Sequence, residues 1–137
     1  MSHFLDVDPA AAAPIWRQIE DGMRRRVASG RLVSGTAVPS VRELAKALRV
    51  NPATVSKAYR RLTEAGLLNV RRGEGTFVAD LSDSALESER QLLLAEGAAT
   101  YIRVAASVGA SREEAIRRVE VVWESHQVEG GEGEIDD

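Results

Sequence analysis

The stretch Val38–Val78 reads VPSVRELAKALRVNPATVSKAYRRLTEAGLLNVRRGEGTFV, and it decides the fold. Ser40 and Glu43 have the S-x-x-E spacing of a capping box, which predicts the start of a helix. After a short turn, Asn51 followed by Pro52 is a strong start signal for a second helix. Basic residues and glycines then form the tip of a predicted hairpin. Two short capped helices followed by such a hairpin are typical of a winged helix-turn-helix.

Further helices are expected on both sides of this stretch. Apolar residues at four-residue spacing predict a first helix over residues 14–29, followed by a loop at 31–38. A fourth helix starts at Ser82 or at Ser84, and Ser111 caps a fifth. The strands of the hairpin, or wing, are expected at residues 67–70 and 76–79. The predicted fold class is therefore mainly α with a small β-hairpin wing (α+β).

The charge of the chain is unevenly distributed. Residues 1–80 hold 13 Lys+Arg and 8 Asp+Glu, a balance of +5, and residues 81–137 hold 5 and 13, a balance of −8; the two add to the net −3. The basic part coincides with the winged helix-turn-helix, as nucleic-acid binding requires. The predicted organisation is a DNA-binding domain at 1–80, a helical dimerisation segment at 81–126, and an acidic, disordered tail at 127–137.

Several classes of function are not expected from the composition. There is no cysteine and there are only two histidines, which argues against disulfides, thiolate metal sites and histidine-rich metal sites. No nucleophile–base pair or phosphate loop is evident, because the GEG at residues 73–75 is too short to cradle a phosphate. We therefore expect no enzyme, catalytic residue, metal or cofactor. No signal peptide or membrane-spanning stretch is evident, so a cytoplasmic protein is expected.

Candidate DNA contacts cluster around the turn, the recognition helix and the wing. Arg42 lies beside the turn, where its two-pronged guanidinium can reach guanine O6 and N7. Hydroxyl and cationic side chains nearby can bind phosphates, and the basic wing can enter a minor groove. Tyr59 also falls on the inner apolar face of the third helix, which leaves a core role open for it. The candidate set is Ser40, Arg42, Asn51, Ala53, Thr54, Lys57, Tyr59, Arg60, Arg71, Arg72, Gly73 and Gly75.

Four ordered segments carry a resemblance to a known family: PIWRQIEDGMRRRVASGRL, PSVREL, VNPATVSKAYRRLTEAGLL and RRGEGTFV. With them the sequence resembles the GntR family of bacterial regulators, specifically its short YtrA-like branch. The resemblance implies operator contacts by Arg42, Asn51, Ala53, Thr54, Lys57, Arg72 and Gly73. Arg49 departs from the pattern, because many relatives have glycine there. A left-handed backbone at this position would carry a strain cost for arginine. Alternatively, Arg49 supplies another phosphate contact.

The resemblance also implies homodimers that bind near-palindromic operators through two recognition helices. It further implies repression as the output and transporter operons as targets. The two C-terminal helices match the dimerisation helices of the branch, although folding back on their own domain is the alternative. Candidate interface residues are Leu86, Leu93, Tyr101, Ile102, Ala105, Ile116, Val119 and Trp123. An unknown effector, if there is one, would need a pocket at this interface, and Tyr101, Arg103 and Trp123 are its candidate lining.

Two rival functions and one regulatory hypothesis accompany this interpretation. Some relatives carry a fused aminotransferase-like domain, for which 137 residues leave no room. A protein-interaction module with a vestigial winged helix is the other rival, and salt dependence of DNA binding would separate the two. The acidic tail is also a candidate competitor with DNA for the basic face, in which case deletion of residues 128–137 should raise non-specific affinity at low salt.

Overall fold

A computed structural model describes the backbone of residues 4–133 and the side chains of residues 4–127. The elements in order are α1 (Ile15–Ala28), β1 (Ala37–Val38), α2 (Val41–Leu48), α3 (Pro52–Glu64), β2 (Leu68–Arg71), β3 (Gly75–Val78), α4 (Asp83–Ser107) and α5 (Arg112–Gly133). They form two compact units, Met1–Leu93 and Leu94–Asp137, and the division falls within α4. The α+β fold class predicted from the sequence is confirmed.

The two helix starts predicted inside the deciding stretch are confirmed by their capping bonds. The backbone N–H of Glu43 donates to Ser40 Oγ at 3.0 Å, and the Ser40 N–H donates to Glu43 Oε1 at 2.8 Å. Asn51 Oδ1 accepts from the Ala53 N–H at 2.8 Å, and Pro52 takes the first helical position. These local bonds satisfy N–H groups that have no partner within the helix, and so they fix where α2 and α3 begin.

The sheet contains one strand more than the predicted hairpin. Strand β3 pairs antiparallel with β2 on one side and with β1 on the other, giving the order β1-β3-β2. The loop predicted at residues 31–38 is therefore wrong for its last two residues, since Ala37 pairs with Phe77 and Val38 with Thr76. A two-residue strand is too short to produce an alternating pattern, and this pairing depends on a partner far along the chain.

The first unit is built around a core that α1, α2 and α3 share with the sheet. Its largest fully buried side chains are Ile19, Met23, Val27, Leu44, Val55, Leu62, Leu68 and Val78. Burial of each such side chain contributes about 1.5–3 kcal/mol relative to exposure. The segment before α1 joins this core, since Leu5 is buried against Gly22, where a Cβ would lie 2.9 Å from Leu5 Cδ2.

The beginning of α4 packs on the first unit. Ser82 Oγ accepts from the Ala85 N–H at 3.1 Å, so Ser82 and not Ser84 caps this helix. Leu86 packs against the first core, and Glu89 Oε2 forms an ion pair with Arg24 Nε at 2.7 Å. Both charged side chains are largely buried. The structural division consequently comes after Leu93, later than the domain boundary expected after residue 80.

The second unit contains the rest of α4 and α5. A turn at Gly109 separates the two helices, and Ser111 caps α5 by accepting from the Glu114 N–H at 3.1 Å. The α5 backbone remains helical to Gly133, and disorder of the acidic tail at residues 127–137 stays a prediction. Each residue added to an existing helix adds one backbone hydrogen bond, which favours such extension. Residues 134–137 of the tail lie outside the described residues. Among the described helices, none is long and apolar enough to cross a membrane.

The turn between α2 and α3 contains a strained residue. Arg49, the C-cap of α2, has φ 59° and ψ 48°, which is the left-handed region. It is the one non-glycine residue with positive φ among those the structure describes. The conditional expectation of strain at Arg49 is therefore met.

We expect Arg49→Gly to raise the free energy of unfolding by about 0.5–1 kcal/mol in a urea titration. Removing Cβ relieves a left-handed strain of ~1–2 kcal/mol, which the greater chain entropy of glycine partly offsets. Arg49→Ala is the matched control, since it removes the guanidinium and retains Cβ. Equal stabilisation by alanine and glycine would show that backbone strain is not the cause.

Candidate nucleic-acid interface

The outer face of α3 carries most of the predicted contact residues. Ala53, Lys57 and Arg60 are exposed on this face, Asn51 is exposed at its start, and Thr54 is half-buried. The Asn51 carbonyl oxygen is occupied as the helix cap. Its amide N–H₂ is therefore the group that can donate to a base or a phosphate. The structure places Asn51, Ala53 and Thr54 at the N-terminal end of the recognition helix, and Lys57 and Arg60 one and two turns further along it.

The start of α2 adds Ser40 and Arg42, both exposed. The carboxylate of the neighbouring Glu43 accepts the Ser40 backbone N–H, and this bond holds the pKa of Glu43 below its ordinary value. Glu43 is thus engaged at the cap. Arg42 makes no ion pair with any residue that the structure describes.

Tyr59 is placed in the core, which corrects its inclusion among the phosphate contacts. Its side chain is buried, and its hydroxyl donates to the Pro39 carbonyl oxygen at 2.6 Å. Burial raises the pKa of this hydroxyl, and the nearby Glu43 charge adds to the effect, so the group remains a protonated donor. The bond ties α3 to the segment that precedes α2. The spacing of Tyr59 with Val55 and Leu62 already indicated this inner face.

Two cations of α3 stack on a tryptophan of α1. Lys57 Nζ lies 4.4 Å from the centroid of the Trp16 ring, and Arg61 Cζ lies 4.9 Å from it. Arg61 Nε also forms an ion pair with Glu20. No sequence pattern indicates this cluster, because its members lie on two helices about forty residues apart in the chain. Trp16 lies half-buried at the edge of the core.

The wing presents its arginines in two different environments. Arg71 ends β2, and its guanidinium carbon lies 4.1 Å from the Phe77 ring centroid on the neighbouring strand. Arg72 and Gly73 form the exposed turn, where Gly73 has φ 79°. Gly75 opens β3 with φ 123°, a conformation that a side chain would strain. The glycines therefore allow a tight tip, and the sequence-predicted wing residues are brought together.

Basic side chains without ion-pair partners characterise this surface. Elsewhere in the described chain several arginines are neutralised, for example Arg24 by Glu89. In contrast, the arginines of the candidate interface make no ion pair within the part of the chain described: Arg42, Arg49, Arg60, Arg71 and Arg72. Their charge is available to a polyanion, which a DNA duplex supplies through its phosphates.

The candidate dimerisation residues fall into two groups. Leu86 packs on the first core and Ala105 is buried, so neither offers an exposed face, and Leu93 is half-buried. The Tyr101 hydroxyl donates to the Ala115 carbonyl oxygen at 2.8 Å, and Tyr101 lines an apolar groove of about 550 Å³. The large side chains exposed on the second unit include Ile102, Ile116, Val119 and Trp123.

The three residues expected to line an effector pocket are not brought together. Tyr101 lines the apolar groove, whereas Arg103 and Trp123 do not. Arg103 instead donates to Thr100 Oγ1 at 3.1 Å, and Trp123 is exposed. Alanines and branched aliphatic side chains form most of the groove lining, together with Ser111 and Arg112. Trp123 lines a second groove instead, beside Glu120 and Glu124.

Comparison with known proteins assigns the family. Residues 16–78 match the description "Bacterial regulatory proteins, gntR family". The HTH-type transcriptional repressor YtrA of Bacillus subtilis is 35% identical over 92 residues, which cover 67% of this chain and 71% of YtrA. The chain belongs to the GntR family. As a GntR-family protein of the YtrA-like branch, it is a DNA-binding transcriptional regulator.

Solved GntR-family structures agree with this assignment. A GntR family transcriptional regulator from Listeria monocytogenes has a TM-score of 0.71 at 27% identity, covering 83% of this chain and 97% of that one. The AraR DNA-binding domain in complex with operator ORX1 has a TM-score of 0.51 at 28% identity, and the match covers 57% of this chain and 100% of that domain. The AraR complex shows a related domain bound to an operator.

We expect Tyr59→Phe to lower the free energy of unfolding by about 1 kcal/mol, because the Pro39 carbonyl loses its donor. DNA affinity of the folded variant should be unchanged, since the ring remains in the core. Arg60→Ala, the next residue on the outer face, is the matched control and should weaken DNA binding while leaving stability unchanged. Urea unfolding and a gel shift on mixed-sequence duplex measure both effects. Weakened DNA binding by folded Tyr59→Phe would return Tyr59 to the contact set.

Proposed function

We propose that this GntR-family regulator represses transcription by binding a pseudo-palindromic operator as a homodimer. The observation that carries the proposal is the set of exposed basic side chains at the start of α2, on the outer face of α3 and on the wing. Its arginines make no ion pairs with described residues, as noted above. Such a surface fits one face of a DNA duplex.

The placement of the side chains suggests how a half-site is recognised. In helix-turn-helix proteins the recognition helix enters the major groove, and its N-terminal residues contact base edges. Asn51, Ala53 and Thr54 occupy that end of α3, and Arg42 approaches from α2. Arg60 and Lys57 flank them and suit phosphates. The tip at Arg72 suits an adjacent minor groove, where narrow width favours arginine.

The second unit supports the homodimer. The exposed apolar side chains Ile116, Val119 and Trp123 recur on one side of α5 beside the apolar groove. An exposed apolar face of this kind marks an interaction site, and symmetric pairing is the commonest way to cover one. Pairing two copies would supply two recognition helices for the two halves of a palindrome.

The expected output is repression, because occupied operators exclude polymerase and the related YtrA of Bacillus subtilis is a repressor. Transporter genes are the expected targets on the family resemblance. A regulator that binds chromosomal operators acts in the cytoplasm, which is the location we propose. We assign no effector, although the apolar groove of the described residues has Ser111 and Arg112 in its lining.

Selection of genomic fragments with the purified protein, read out by gel shift at two salt concentrations, tests the proposal. We expect one enriched inverted repeat whose binding weakens with salt. Salt-sensitive binding without any enriched sequence would contradict operator recognition. An absence of DNA binding at both salt concentrations would favour the protein-interaction module.

We expect Arg42→Ala to reduce binding to the selected operator by ~1–3 kcal/mol and to relax preference at one base position. The physical reason is the loss of a bidentate contact to a guanine edge. Arg25→Ala, an exposed arginine on α1 outside the candidate interface, is the control and should leave sequence preference intact. Equal weakening on every sequence by Arg42→Ala would assign Arg42 to a phosphate.

We expect Val119→Glu to convert the dimer into monomers in sedimentation equilibrium, because burying an unpaired carboxylate costs several kcal/mol. Val121→Glu is a matched control, since Val119 and Val121 are 47% and 46% exposed. The two side chains project about 200° apart around α5, and Val119 lines the apolar groove while Val121 does not. A dimer that tolerates Val119→Glu would place the interface elsewhere.

A further inference from the structure

Trp16 forms a platform under the recognition helix, although it belongs to α1. The indole ring is half-buried at the edge of the first core, and its face carries the ammonium of Lys57 and the guanidinium of Arg61. Lys57 and Arg61 are four residues apart on α3, so they lie one above the other on the same flank of that helix. The flank faces α1 and borders the outer face that carries Ala53 and Arg60.

The two cations are held in different ways. Arg61 has a second anchor, because its Nε pairs with Glu20, whose side chain is largely buried. Lys57 has the Trp16 ring as its only charged or aromatic partner among the described residues. Removal of the ring would therefore release the ammonium of Lys57 while Arg61 kept its carboxylate partner. Of the two cations, Lys57 therefore depends more on Trp16 for its position, and Lys57 is the one expected to contact DNA.

A positioned ammonium binds phosphate at lower cost than a free one. A lysine side chain has several rotatable bonds, and immobilising a side chain of this kind at an interface costs conformational entropy. Contact with an aromatic face restrains the ammonium before DNA arrives. The three N–H donors of the ammonium cannot all point at the ring, so some remain directed outward. A phosphate oxygen can then bind without displacement of Trp16.

We propose that Trp16 is a positioning residue for DNA binding, which holds the Lys57 ammonium where the phosphate backbone of the operator passes α3. The inference rests on the proposed contact between Lys57 and DNA. Trp16 acts through Lys57 and needs no contact of its own with a base. The contribution is independent of sequence, because phosphates carry no sequence information.

A double-mutant cycle tests the proposal with the full chain and a mixed-sequence DNA duplex. The four proteins are the wild type, Trp16→Leu, Lys57→Ala and the double variant, each titrated over a range of salt. We expect Trp16→Leu to weaken binding about two- to fivefold in the presence of Lys57. It should have no effect in the Lys57→Ala background. Trp16→Phe keeps an aromatic face and should restore most of the affinity.

The outcomes separate this inference from the proposed function. If Lys57→Ala leaves both the affinity and the salt slope unchanged, the contact between Lys57 and DNA fails, and the positioning role fails with it. If Lys57→Ala lowers the salt slope by about 1 but Trp16→Leu weakens binding equally in both backgrounds, Trp16 acts independently of Lys57. Tighter binding by Trp16→Leu would mean that the ring sequesters Lys57, which also overturns the proposal.

Thermal unfolding of every variant accompanies the cycle, because Trp16 borders the core. If Trp16→Leu does not fold, Trp16→Phe replaces it in the same cycle, with a smaller expected loss, since phenylalanine binds cations less strongly than tryptophan. A purely structural role would lower the melting temperature without coupling to Lys57 in DNA affinity. Such a result would overturn the positioning role.

Discussion

The packing of α3 against α1 is the interaction on which the rest of the first unit depends. Ile19 and Met23 of α1 meet Val55 and Leu62 of α3 in a fully buried core. Because these side chains fix the rotation of α3 about its own axis, they decide which residues face outward. The outer face with Lys57 is thus a consequence of apolar packing on the opposite side. The orientation of the residues expected to contact DNA therefore depends on the burial of aliphatic side chains in the core.

Polar contacts then refine what the core has oriented. The Tyr59–Pro39 hydrogen bond connects α3 to the chain just before α2, so the start of α2 is fixed relative to the recognition helix. The Ser40–Glu43 cap holds the first turn of α2 beside Arg42. Each bond is modest, at about 0.5–1.5 kcal/mol. Loss of one such bond therefore lowers stability without turning α3, whose orientation is set by the buried side chains.

The sequence predicts those features that are decided by neighbouring residues. The caps at Ser40, Asn51 and Ser111 were found because capping depends on residues two or three positions away. The exposed contact residues of α3 followed from its helical period, and the same period indicated that Tyr59 is internal. The short strand β1 was missed because its pairing with β3 joins distant segments.

Side-chain contacts between elements were also beyond the sequence pattern. Trp16 and Lys57 meet because α1 and α3 pack side by side. The residues that neighbour each of them in the sequence do not predict this contact. The same holds for Arg24 and Glu89, which attach the start of α4 to α1 and move the division of the chain to Leu93. Predicting such pairs requires the relative positions of whole helices, which local periodicity does not contain.

The left-handed Arg49 has a consequence for the way this protein responds to selection. Its backbone strain and its charge lie at one position, at the turn next to the recognition helix. Selection for thermal stability alone favours glycine at position 49, because glycine relieves the backbone strain and the loss of the arginine charge does not lower stability. Selection for operator occupancy would retain arginine there if its guanidinium makes the phosphate contact expected from the sequence. In that case thermal stability and DNA affinity favour different residues at this turn.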